Sequence, residues 1–122
     1  MNVKKSVLIL APDDATGRLS RVLAQSEWTV HTAMNAQAVA KNVVKQVTVI
    51  LAPVEQYSEV SAMARRVGAK AKIVATVPFS DPFGEDVAAD AGAFSVLHRP
   101  FAPNEVLEVL GFATALVAMA GV

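Results

Sequence analysis

The chain has 122 residues, 53% of them hydrophobic and 18% charged, which is one domain's worth of sequence with enough apolar surface to bury a core. Eleven Lys and Arg balance eleven Asp and Glu, so a formal charge of zero gives no footprint for nucleic acid or an anionic membrane. No cysteine is present, which excludes disulfides, thiolate metal sites and a cysteine nucleophile.

Taken in chain order, short apolar runs alternate with helical patterns. Lys4 and Lys5 precede an apolar run over 7–10 that is too short for a signal-peptide core or a membrane span, and a cytoplasmic location is expected. The spacing predicts a buried parallel strand over 7–11. Asp13 and Asp14 supply acceptors for a helix start, and Ala15, Leu19, Val22 and Leu23 share one face of that helix. A second strand is predicted over 28–33, then a helix capped by Asn35 whose face is Ala36, Val39, Ala40 and Val43, with Lys41 and Lys45 outward. A β-branched run over 47–52, ended by Pro53, is the third strand. Val60, Met63, Ala64 and Val67 then mark a helix that Gly68 terminates.

The fourth strand is expected over 72–77, followed by a helix start at Ser80-Asp81-Pro82 that Gly84 weakens. The fifth runs over 94–98, and Ala102-Pro103 opens the last helix. Residues 106–122 are apolar, but Glu105, Glu108 and Gly111 in or beside the first half point to a helix of a soluble fold rather than an anchor. Five βα units with short connections predict an α/β fold, a doubly wound five-stranded parallel sheet, as a single domain over 1–122 with no repeat or linker.

The run Gly92-Ala93-Phe94-Ser95-Val96-Leu97-His98-Arg99-Pro100-Phe101 resembles the end of the receiver domains of bacterial response regulators, the chemotaxis-regulator type. In that family a Gly-Ala pair precedes the fifth strand and a Lys-Pro-Phe ends it. Pro103 and the 105–107 stretch also fit, and the resemblance extends over essentially the whole chain. It implies a flavodoxin-like (βα)5 fold and a role in two-component-type signal transduction.

The resemblance also implies a site at the carboxyl edge of the sheet, where open α/β folds place their ligands. Family receivers carry an acidic pair after strand one, a phosphoacceptor Asp ending strand three, a Thr or Ser ending strand four and a Lys ending strand five. With the apolar face of the first helix aligned, Ala11 and Pro12 take the acidic-pair positions and Asp13 falls one later. A register using Asp13-Asp14 as the pair would turn Arg18 and Arg21 toward the core. Ala52 takes the phosphoacceptor position, Thr76 fits the switch Thr, Arg99 stands for the Lys and Val96 replaces the usual aromatic.

Aspartyl phosphorylation needs a carboxylate nucleophile and a hard cation on the phosphoryl oxygens. Alanine offers no nucleophile, and Asp13 alone is a poor Mg²⁺ site, so no catalytic residue, metal or cofactor is expected. Glu55, three residues past Ala52, is read as a solvated loop carboxylate. Arg99 either pairs with Asp13 in the emptied pocket or points to solvent. His31 and His98 lack metal-ligand spacing. Ser58, Ser61 and Ser80 lack a His/Asp arrangement. No glycine-rich phosphate loop is present.

On a helical wheel, Val106, Leu110, Ala113 and Val117 form the face of the last helix that should pack on the sheet. Glu105, Glu108, Phe112, Leu116 and Met119 lie opposite, where the acids are expected and the apolar side chains mark an interface. In the resembled family, helix four, strand five and helix five form the common partner surface. The leading expectation is therefore a pseudo-receiver, a phosphorylation-independent docking module for a histidine kinase, another regulator or itself as a homodimer. Two alternatives stay open. One is a small-molecule sensor taking a nucleotide second messenger on Arg65, Arg66 and Arg99. The other is an atypical receiver phosphorylated at Asp13, Asp14 or Glu55.

Overall fold

The computed structural model describes residues 5–10, 14–78, 84–99 and 102–120. Five parallel strands form one sheet in the order β2-β1-β3-β4-β5, the flavodoxin-like arrangement expected from five βα units. The strands are β1 (Ser6–Leu10), β2 (Thr29–Ala33), β3 (Val49–Pro53), β4 (Lys72–Pro78) and β5 (Ser95–Arg99). The helices are α1 (Asp14–Gln25), α2 (Lys41–Gln46), α3 (Tyr57–Arg66), α4 (Gly84–Asp90) and α5 (Pro103–Ala120).

Every residue of β1 and β3 is buried, as continuous apolar runs require when helices cover both faces. Alternation sorts the core into two layers. Leu8, Leu10, Ile50, Ala52 and Ala75 pack with Val44, Tyr57, Val60, Ala64 and Ala88 of α2, α3 and α4. Val7, Ile9, Val49, Leu51 and Val74 pack with Leu19, Leu23, Val106, Leu110 and Ala113 of α1 and α5. The expected packing faces of α1 and α5 are thus occupied by Leu19 and Leu23, and by Val106, Leu110 and Ala113.

Three strands, β3, β4 and β5, end one residue later than the sequence predicts. Pro53 closes β3 opposite Thr76, and Pro78 closes β4 opposite Arg99. A proline lacks only the donor, so it is accepted at a strand end. Residue 11, expected in β1, lies outside the described residues, as does the 80–82 helix start. Val47, expected in β3, is instead buried in the turn after α2, where its N–H reaches the Val43 carbonyl.

The second helix departs most. Asn35 does cap, its Oδ1 accepting from the Ala38 N–H at 3.0 Å, but it caps only a 3-10 turn over Ala36–Ala38. Ala40 is extended (φ −67°, ψ 140°) and exposed, so α2 begins afresh at Lys41. The core side of α2 is Val44, which the sequence reading omitted, with Val39 and Val43 packed beside it. Lys41 and Lys45 are exposed as expected.

Among the described residues, three helices end in the same Schellman arrangement, in which a left-handed residue lets its own N–H and the next reach back to orphan carbonyls. After α3, Gly68 (φ +70°) donates to the Arg65 carbonyl at 3.2 Å and Ala69 to Ala64 at 2.8 Å. After α4, Gly92 (φ +90°) and Ala93 reach Ala89 and Ala88, both at 3.0 Å. After α1 the left-handed residue is Glu27 (φ 69°), with Trp28 donating to Leu23 at 2.9 Å.

A side chain in that region costs about 1–2 kcal/mol, part of which a glycine returns as unfolded-state entropy. Glu27→Gly is therefore expected to raise stability by about 0.5–1 kcal/mol in chemical unfolding, whereas Gly68→Ala lowers it by a similar amount. A Cβ at Gly68 meets nothing within 4 Å, so that loss is purely conformational. Burial also raises the hydroxyl pKa of Tyr57 above 10.0, with Arg65 opposing it. The unfolded chain then releases this proton first, so stability present below pH 10.0 declines as pH rises from there through the folded-state pKa. Unfolding curves at rising pH should show that decline in the wild type and a smaller one in Tyr57→Phe. Tyr57 is the single tyrosine, so an absorbance titration reads it directly.

Candidate functional site

The strand order turns between β1 and β3, and the crevice beyond their carboxyl ends is where a sheet of this kind presents a site. The last rung between these two strands joins Ile9 to Leu51. Ala52 follows, abreast of Ala75 on β4, and is 0% exposed. Its methyl group belongs to the cluster that holds Leu10, Ala75 and Ala88. A methyl in an apolar cluster neither attacks phosphorus nor binds a cation.

Thr76 sits one rung beyond, opposite Pro53, and is buried. Arg99 closes β5 opposite Pro78, but its side chain lies outside what is described. Ala11, Pro12 and Asp13 also lie outside the described residues, and so does the side chain of Asp14. The Arg99–Asp13 pairing therefore has no geometry here. Arg21 is exposed while Leu19 and Leu23 are buried, the orientation of α1 on which the placement of Ala11 and Pro12 was based.

Glu55 is exposed in the 3-10 turn after β3. The same turn holds Gln56, whose Nε2 donates to the Met34 carbonyl at 3.3 Å and joins the loops after β2 and β3. Its Oε1 is buried without a partner among the described residues. Gln37 Nε2 donates to Glu59 Oε1 at 2.6 Å, tying the turn before α2 to α3. Sequence reasoning missed both glutamines, because a lone amide carries no motif. Among the described residues, no group of three or more His, Asp or Glu is placed to hold a metal ion.

At the far edge of the sheet, β5 lies between α4 and α5. Glu105 and Glu108 are exposed, and Phe112 is 63% exposed. The Phe112 ring stands 5.9 Å from that of Phe94, which also receives the Lys72 ammonium at 5.9 Å. Phe94, Ser95, Glu108, Val109 and Phe112 line a cavity of about 290 Å³ between the start of β5 and α5. Val87 on α4 is 55% exposed. Leu116 is half-buried, so it presents less apolar surface than the helical wheel assigned to it, and the Met119 side chain lies outside what is described. No described helix is long and apolar enough to cross a membrane.

No family model and no curated protein sequence matches the chain. Solved structures do. The signal receiver domain of a putative Luxo repressor protein from Vibrio parahaemolyticus superposes with a TM-score of 0.78 at 7% identity, covering 97% of this chain and 95% of that one. A CheY-like response regulator receiver domain protein from Methanospirillum hungatei JF-1 gives 0.77 at 16% identity, covering 96% and 98%. A co-crystal structure of the Saccharomyces cerevisiae histidine phosphotransfer protein Ypd1 with the receiver domain of the response regulator Ssk1 gives 0.75 at 17%, covering 95% and 92%. The topology, the two-layered core and these superpositions together give the chain the fold of the response-regulator receiver domains.

Proposed function

We propose that this chain is a pseudo-receiver, a docking module of two-component-type signal transduction that works without phosphorylation and has no reaction of its own. The reading rests on one observation above the others. The position next to the end of β3, where the resemblance puts a receiver's acceptor carboxylate, is Ala52, fully buried among Leu10, Ala75 and Ala88. The receiver fold supplies the signalling context. The exposed Phe112 on α5, beside the acids Glu105 and Glu108, supplies a surface for a protein partner.

The partner is a histidine kinase or phosphotransfer protein, another regulator, or a second copy of the chain, as a homodimer or larger assembly. One structural neighbour is a receiver domain crystallised with a histidine phosphotransfer protein. The balanced charge and the absence of a glycine-rich loop favour a protein over nucleic acid or a nucleotide. A cytoplasmic location follows from the same reading.

Incubation with acetyl phosphate and Mg²⁺, followed by intact-mass measurement, is expected to leave the mass unchanged. A phosphate adduct mapped to Asp13, Asp14 or Glu55 would instead make the chain an atypical active receiver.

A further inference from the structure

The zero net charge conceals a segregation of charge across the fold. The segments α2 and α3 carry Lys41, Lys45, Arg65 and Arg66 against the single acid Glu59, which is already engaged with Gln37. The segments α4 and α5 carry Glu85, Asp86, Asp90, Glu105 and Glu108 and no Lys or Arg. The segments α3 and α4 lie on the same face of the sheet as α2, α3 against β3 and β4 and α4 against β4 and β5, whereas α5 lies on the other face with α1.

A groove opens on the basic side. Gln37, Val39, Lys41, Met63, Arg66 and Val67 line a cavity of about 510 Å³ between the turn before α2 and the outer ridge of α3. Its apolar part is Val39, Met63 and Val67, all partly buried, and its charged part is the exposed pair Lys41 and Arg66. The outer side of α5 has the reverse character. Glu105, Glu108 and Phe112 recur there at spacings of three and four residues, two carboxylates followed by one exposed ring.

We propose that the α5 outer face of one copy of this chain seats in the α2–α3 groove of a second copy. Glu105 and Glu108 then meet Lys41 and Arg66, while Phe112 enters the apolar part between Met63 and Val67. The inference rests on the reading of α5 as an interaction face and names its partner. Such a contact joins two different surfaces, so a pair leaves one groove free on one copy and one helix free on the other. It grows head-to-tail unless the rotation closes a ring. Charge complementarity sets the register and makes association salt-sensitive.

The test uses sedimentation velocity on the full chain up to about 1 mM, a range that reaches weak interfaces of modest area. The wild type should form species beyond dimers that dissociate as salt rises. Phe112→Glu spoils the helix face, and the double variant Lys41→Glu, Arg66→Glu spoils the groove. Each alone should associate at least tenfold more weakly, with circular-dichroism melts showing retained fold. Mixed together, they should form a complex of one copy of each, because one variant keeps its groove and the other its helix. As a second check, Glu105→Lys with Glu108→Lys should associate with the groove-reversed variant.

A wild type monomeric throughout overturns the proposal, leaving the groove to another occupant. A groove variant that associates like the wild type also overturns it and leaves the reading of α5 standing. Phe112→Glu associating like the wild type overturns the proposal together with the reading of α5. Failure of the mixture to form a complex overturns the seating of α5 in the groove.

Discussion

The arrangement depends on the burial of β3 from both sides. Val49 and Leu51 face the α1–α5 layer, Ile50 and Ala52 face the α2–α3–α4 layer, and Pro53 is buried at the strand's end. A strand in that position holds the two layers together and fixes the register of β1 and β4 on either side. It also sets the terms for chemistry at its carboxyl end. An ionised carboxylate among Leu10, Ala75 and Ala88 would lose its hydration, a penalty of several kcal/mol unless a cation or donors replaced the water. With alanine there, the same space is apolar packing.

In the proposed reading, the activity of the molecule moves from the sheet edge to its helical surfaces. A receiver that signals by phosphorylation needs an equilibrium between two conformations that the phosphoryl group biases. A module without that input has its binding surface set by sequence alone. The exposed ring of Phe112, steadied against Phe94, is the kind of side chain that anchors an interface. The acids beside it and the cations across the fold add selectivity, because charge decides orientation more than raw affinity.

Most of the fold was legible in the sequence because its signals are periodic. Continuous apolar runs gave the buried strands, and Leu19, Leu23, Val106, Leu110 and Ala113 gave the packing faces of α1 and α5. Gly68 marked the end of α3 by the conformation only glycine adopts freely. The second helix was misread because Ala36, Val39, Ala40 and Val43 fit helical spacing, while the extended Ala40 that breaks it carries no mark in the sequence. That Leu116 is half-buried was not legible, because a helical wheel gives the angle of a side chain and not the depth of its neighbours. The α1 terminus escaped notice since Glu27 carries no sequence mark of a left-handed residue. At the site, Ala52 and Thr76 were placed by counting along strands. The α2–α3 groove was not legible, because Val39, Lys41, Met63 and Arg66 come together only when the two segments pack.

The sealed end of β3 is the central claim, and amide chemical shifts read it most directly. In a titration of the isotopically labelled chain with Mg²⁺ and beryllofluoride, the phosphoryl mimic of receiver chemistry, the account predicts no saturable shift at Leu51, Ala52, Ala75 or Thr76. Saturable shifts at those four amides, requiring both reagents together, would contradict it.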